Sequence, residues 1–165
     1  GGSASDAEHI VGELMKEFRL KRPIGEELRQ RLRDVDHSPQ DLIDGLRGAI
    51  PAISLNSQTA LMTALCNDGD PNMVFAQQVL GYGRRGDVLI ALSTSGNSSN
   101  VLNAVRTARA IEVSTILIAG GTGGKIAPIA DVSICLGETE TYKVQELTLP
   151  LYHALCLTLE EEMFG

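Results

Sequence analysis

Hydroxyl side chains crowd one short stretch of this chain, Ser93-Thr94-Ser95-Gly96-Asn97-Ser98-Ser99. Ser93, Thr94, Ser95 and Ser98 offer short donors to an oxyanion such as phosphate, and a helix starting just after them would add unpaired N–H groups and the positive end of its dipole. An ordinary capped turn is the plainer alternative, because Ser, Gly and Asn favour turns. His9 and Glu13 stand four residues apart, so on a helix they share one face. Such a pair can bind a metal, do acid–base work, or be a solvated surface pair. His153 interrupts an apolar run, and Gln145 lies eight residues before it, which is about 12 Å along an ideal helix. Both could enter one site only if Pro150 bent the helix or a second subunit completed the site. Asn67-Asp68, followed by Gly69, is either a polar contact to a substrate or a turn. No Gly-Lys-Ser/Thr follows the serine run, so it is no Walker loop. Gly120-Gly121-Thr122-Gly123-Gly124-Lys125 has the wrong spacing for a dinucleotide fingerprint and reads as a flexible turn.

The elements that must hold these residues follow from hydrophobic periodicity. Ile10, Val11, Leu14 and Phe18 recur at helical spacing, which predicts a helix from Asp6 to Phe18, capped by Ser5 or Asp6 and ended by Pro23 and Gly25. Residues 26–50 are charged, interrupted by Pro39, and spaced as two short amphipathic helices. Residues 52–55 are a short strand candidate. Strands are then expected at 87–92, 114–119 and 132–136, with helices at 100–110, near 125–129, and from about Thr141 to Met163. Alternation of strand and helix implies parallel pairing with right-handed crossovers, hence an α/β fold: a three-layer α/β/α sandwich around a parallel sheet. In the last helix no charge falls between Glu146 and Glu160, and nine of the thirteen residues 147–159 are apolar, Pro150 not counted. A helix apolar nearly all round needs cover on several sides, which predicts self-association.

Composition narrows the function classes. The 165 residues carry Lys+Arg 14 and Asp+Glu 21, a net charge of −7 with a pI near 4.9. That balance argues against general nucleic-acid or anionic-membrane binding, which needs clustered positive charge. Hydrophobic residues make up 43%, enough for a core, but aromatics only 4%, so the core must be aliphatic. Cys66, Cys135 and Cys156 are odd in number and widely spaced, which reads as free thiols in a reducing, cytoplasmic setting. No apolar stretch approaches the roughly 20 residues of a membrane span, and no signal peptide is visible.

The serine loop resembles the phosphosugar-binding loop of the sugar isomerase (SIS) fold, which is flavodoxin-like or Rossmann-like. Gly1-Gly2-Ser3-Ala4-Ser5-Asp6-Ala7-Glu8-His9 is similar to the opening active-site segment of one branch, the sedoheptulose-7-phosphate isomerases or phosphoheptose isomerases. The resemblance implies one SIS domain over residues 1–165, with a helical insertion at about 25–48. It also implies that an N-terminal helix and the first strand are absent from the chain, because the family's glycines follow that strand. The activity implied is aldose–ketose isomerisation of sedoheptulose 7-phosphate to D-glycero-D-manno-heptose 7-phosphate through an enediol, for heptose and surface polysaccharide synthesis. Glu13 is then the base and His153 the acid. Gly2, Ser3, Asn67, Asp68, Ser93, Thr94, Ser95, Ser98 and Gln145 become substrate contacts, and His9, Glu13, Gln145 and His153 a possible Zn²⁺ set. The family also implies a homotetramer with sites shared between subunits. The rival is a non-catalytic SIS protein, a phosphosugar sensor or a replication-initiator associate; Glu13 and His153 speak against it. Tyr142 and Leu55 stand where the family often has Asp.

Overall fold

The computed structural model describes residues 1–35 and 39–165. In chain order the elements are α1 (Gly2–Met15), α2 (Glu26–Asp34), α3 (Gln40–Gly45), α4 (Thr59–Asp68), a 3-10 turn (Pro71–Met73), α5 (Val74–Tyr82), β1 (Val88–Ser93), α6 (Ser99–Ala110), β2 (Ser114–Ala119), β3 (Val132–Cys135) and α7 (Thr141–Phe164). Two compact units emerge, one of residues 1–8 and 54–151, the other of residues 9–53 and 152–165.

The first unit is built on the sheet. Strands β1, β2 and β3 pair in that order and all parallel, with Val88 opposite Ser114, Ser93 opposite Ala119 and Ile116 opposite Val132. Parallel strands need cover on both faces, which is why β1 and the later part of β2 are apolar, whereas β3 is largely exposed. Helix α6 packs on β1 and β2, and α5 packs on α6. The core is aliphatic, as the composition required: Ala91, Leu102, Val105, Leu117, Ala119 and Ile126 form one buried cluster, and Val79, Ala104, Ala108 and Val113 another. Asp131 pins the entrance of β3 to β2, its carboxylate accepting both the Thr115 N–H and hydroxyl at 2.8 Å. The α/β fold with a parallel sheet flanked by helices is as expected.

Two local expectations fail here, and two helices were not foreseen. Residues 125–129 form turns rather than a helix, because the Ile126 N–H is drawn to the Gly96 carbonyl and Pro128 has no N–H to give. Residues 52–55 are not a strand. Having no strand to pair with, this segment spends its donors elsewhere: the Ala52 N–H points at Met15 Sδ, and Ser57 turns back onto the Ser54 carbonyl. The sequence signal for α4 lies in its helix formers, Ala60, Leu61, Met62, Ala64 and Leu65, rather than in a buried stripe, since none of its residues is buried. Helix α5 hides a polar residue, Gln78, 1% exposed, whose amide donates to the Leu55 and Val74 carbonyls.

Among its described residues the second unit has no sheet, only an isolated antiparallel bridge between Pro23 and Arg47. Ile10, Leu14, Ile24, Ile43, Tyr152 and Cys156 are buried in it. Helices α2 and α3 are the two short helices expected between residues 26 and 50, although positions 36–38 of the expected insertion lie outside the described residues. Ile43 anchors α3, at 1% exposure, while the Arg29–Asp44 and Arg31–Glu27 pairs decorate the solvent side. Helix α1 starts a turn earlier than the Asp6 predicted and ends at Met15, short of Phe18. The reason is a distant one. The Arg22 guanidinium, wholly buried, donates to the α1 carbonyls of Leu14 and Glu13 at 2.8 and 3.2 Å, and the Glu160 carboxylate accepts the N–H groups of Phe18, Arg19 and Leu20. Arg22 Nε and Glu160 Oε1 close the clamp at 2.7 Å. Helix termini leave carbonyls unpaired, and here an ion pair supplies partners for both sides of the break.

Candidate active site

The serine loop sits where β1 ends and α6 begins, beyond the carboxyl edge of a parallel strand, the usual place for ligands in such sheets. Ser93 is buried and its hydroxyl donates to Ser98 Oγ at 3.3 Å, while Ser95 and Ser98 are exposed. Ser98 is the N-cap of α6 but makes no side-chain capping bond, so its hydroxyl is not committed to the helix. The Gly-rich stretch at 120–125, expected to be a flexible turn, is tied to this loop. Gly120 N–H donates to the Thr94 carbonyl at 3.0 Å, Ile126 N–H to the Gly96 carbonyl at 3.1 Å, and Lys125 N–H to Asn97 Oδ1 at 3.1 Å. The glycines let two backbones touch: Gly96 has φ +64°, and a Cβ there would collide with the Gly123 carbonyl. Gly96→Ala should therefore cost roughly 2–4 kcal/mol, through a left-handed conformation and the collision together. Denaturant unfolding measures the loss, and a variant as stable as wild type would show that the loops part easily.

Within the second unit His9, Glu13 and His153 come together. His9 Nε2 is 3.2 Å from Glu13 Oε1, and the His9 and His153 rings stand edge to face with centroids 5.1 Å apart. Phe18 closes on the other side of His153, centroids 5.5 Å apart. His153 Nε2 is buried with no hydrogen-bond partner among the described residues. A structural histidine bonded to backbone would have satisfied that atom, and an orphaned buried polar atom is costly unless it has a use. Glu13 Oε2 is met by the exposed Lys16 ammonium at 3.3 Å. Cys156, on the same helix as His153, is an inert neighbour: burial, with the Glu13 and Glu160 charges adding to it, pushes its thiol up to about 11.

The remaining predicted residues lie in the first unit. Gly2 and Ser3 open α1, and a Cβ at Gly2 would strike the Gln145 carboxamide. Gln145 is on α7, which runs unbroken through Pro150. Asn67 and Asp68 form the last turn of α4, exposed, with Asn67 Nδ2 donating to Asp68 Oδ1 at 2.7 Å. Among the described residues no group of three His, Cys, Asp and Glu side chains is gathered as a ready metal cage. The sequence reading missed Tyr152, whose hydroxyl is 2.7 Å from His9 Nδ1, and the Arg22–Glu160 clamp. Neither carries a local signal, since both partners in each case are far apart in the chain.

A family model for the SIS domain matches residues 47–158. The phosphoheptose isomerase of Sulfurimonas denitrificans is 33% identical over 165 residues, covering 100% of this chain and 72% of that protein. That of Helicobacter pylori is 36% identical over 160 residues, covering 97% and 70%. Among solved structures, a phosphoheptose isomerase from Neisseria gonorrhoeae superposes with a TM-score of 0.75 at 33% identity, covering 98% of this chain and 72% of that one. One from Francisella tularensis gives 0.75 at 28% identity, covering 94% and 70%. With the parallel sheet, the serine loop and this similarity along nearly its full length, the chain belongs to the SIS domain family and, within it, to the phosphoheptose isomerases, a family of phosphosugar isomerases.

Proposed function

We propose that the chain interconverts sedoheptulose 7-phosphate and D-glycero-D-manno-heptose 7-phosphate, with Glu13 as base and His153 as acid. The observation that carries this reading is that a carboxylate from α1 and an imidazole from α7 meet at the same residue, His9, within one unit. Glu13 removes a proton from C1 of the ketose while the C2 carbonyl oxygen takes one from His153, and an enediol results. Return of the Glu13 proton to C2, with loss of the O1 proton to His153, completes the aldose. Thr94, Ser95 and Ser98, backed by Ser93, bind the phosphate, so that binding energy remote from the reacting carbons is spent on orientation. Gly2, Ser3, Asn67, Asp68 and Gln145 are assigned to the rest of the sugar. Heptose synthesis for surface polysaccharides is the role this reaction would serve.

Zinc belongs to the reading through donor chemistry. Two imidazoles and a carboxylate are donors Zn²⁺ accepts, and the orphaned His153 Nε2 is an available one. His9, Glu13 and His153, with Gln145 as a weaker fourth, would hold it, and when bound it supplies Lewis acidity for the developing enediolate oxygen. A homotetramer with sites shared between subunits is likewise proposed, supported by the uncharged middle of α7, where Leu147 and Leu149 stay exposed in the single chain. A cytoplasmic enzyme fits the free thiols, Cys66, Cys135 and Cys156. No helix among the described residues is long and apolar enough to cross a membrane. The test is a coupled assay for aldose formation from sedoheptulose 7-phosphate, run with and without a chelator. Turnover that chelation suppresses and Zn²⁺ restores is expected, and no turnover on this ketose would overturn the substrate assignment.

A further inference from the structure

We infer that Tyr152 is a positioning residue for the acid–base pair, acting through His9. Its ring is 1% exposed, its hydroxyl lies 2.7 Å from His9 Nδ1, and the two rings meet edge to face with centroids 5.4 Å apart. The other nitrogen of the same imidazole faces Glu13 at 3.2 Å. Tyr152, His9 and Glu13 thus form one chain of polar contacts inside the second unit, with neighbouring His153 edge to face with its middle member. An imidazole with two fixed partners cannot rotate about its Cβ–Cγ bond without losing both. Tyr152 therefore fixes the ring orientation of His9, and through it the place of the Glu13 carboxylate. Outer partners of this kind change activity or ligand affinity about 10- to 100-fold when removed.

The inference rests on the isomerase reading for its kinetic arm alone. Tyr152→Phe keeps the buried ring and removes only the donor. We expect kcat to fall about tenfold with KM changed less than about twofold. In a double-mutant cycle with His9→Ala the loss should vanish, since a residue acting through His9 has nothing to add once His9 is gone. Unchanged kcat in Tyr152→Phe, or losses that multiply in the double variant, would overturn the role. A second arm uses no variant and no turnover. In chelator-treated wild-type protein, ¹⁵N NMR should show His9 Nδ1 in a hydrogen bond, and a His9 Nδ1 without one would defeat the assignment even if the phenylalanine variant failed to fold. If instead Glu13 proved dispensable, the isomerase reading would fall while the nitrogen spectrum still reported the Tyr152–His9 bond.

Discussion

If Glu13 is the proposed base, Glu13→Gln should lower kcat on sedoheptulose 7-phosphate by about 10³- to 10⁴-fold, towards the upper end of what a positioned general base contributes, with substrate binding retained. The amide keeps the shape of the carboxylate and can still bond His9, but it cannot take a carbon-bound proton. The variant is also a clean one. What Glu13 loses in the folded protein is an ion pair with the exposed Lys16 and a contact with the half-exposed His9, and pairs of that kind are worth at most about 1 kcal/mol. The fold should therefore survive, and the kinetic loss would belong to the site, where Glu13 is proposed both as base and as a Zn²⁺ donor; equal metal content in variant and wild type would assign it to the base role. Stopped-flow or coupled assays measure kcat, and titration of the inactive variant with substrate measures binding. Turnover equal to wild type would remove Glu13 from the base role and leave only the fold and family membership standing.

Arg22→Met should destabilise the protein by about 3–5 kcal/mol, the usual loss when one member of a buried ion pair is removed. Arg22 is 0% and Glu160 1% exposed. Burial alone would raise the Glu160 carboxyl, but the N–H groups of Phe18, Leu20 and Arg19 and the Arg22 guanidinium outweigh it and hold the group down at about 2, from an ordinary 4.5. A carboxyl lowered on folding contributes stability that is whole above its unfolded value and is lost as the pH falls toward the folded one. The wild-type melting temperature should thus decline from near pH 5 down to about pH 2, a share of roughly 3 kcal/mol for a lowering of this size. In Glu160→Gln that acid-dependent share should be missing. Many buried ion pairs can be exchanged for apolar residues without loss. This one cannot, because its two members also satisfy five backbone groups around the end of α1. A double variant combining Arg22→Met with Glu160→Leu that unfolded only at wild-type denaturant concentrations would refute that account.

Much of the site was legible because it is local. Residues 93–98 declare a strand end, a helix start and an excess of hydroxyls within one stretch of chain. His9 and Glu13 are neighbours by helical periodicity alone. The strands at 114–119 and 132–135 announce themselves as short aliphatic runs. Where local periodicity was absent the reading failed: α4 buries none of its residues, so only its helix formers and no amphipathic face mark it, and the strand expected at 52–55 pairs with no strand among the described residues. The resemblance to phosphoheptose isomerases supplied what spacing could not, the pairing of Glu13 with His153 across 140 positions.

Residue order by itself determined the α/β class, the aliphatic core, the serine loop and the His9–Glu13 face, since each depends on interactions within a few positions of chain. Only the tertiary structure decided that the 120–125 glycines brace the serine loop, that Arg22 and Glu160 end α1, and that Tyr152 holds His9. Apart from the reach of Arg22 to the nearby Leu14 and Glu13 carbonyls, those contacts join segments from more than twenty to more than a hundred residues apart. Hydrogen bonds and ion pairs are short-ranged and directional, so which of many equivalent donors and acceptors meet is fixed only once the hydrophobic core has placed their backbones.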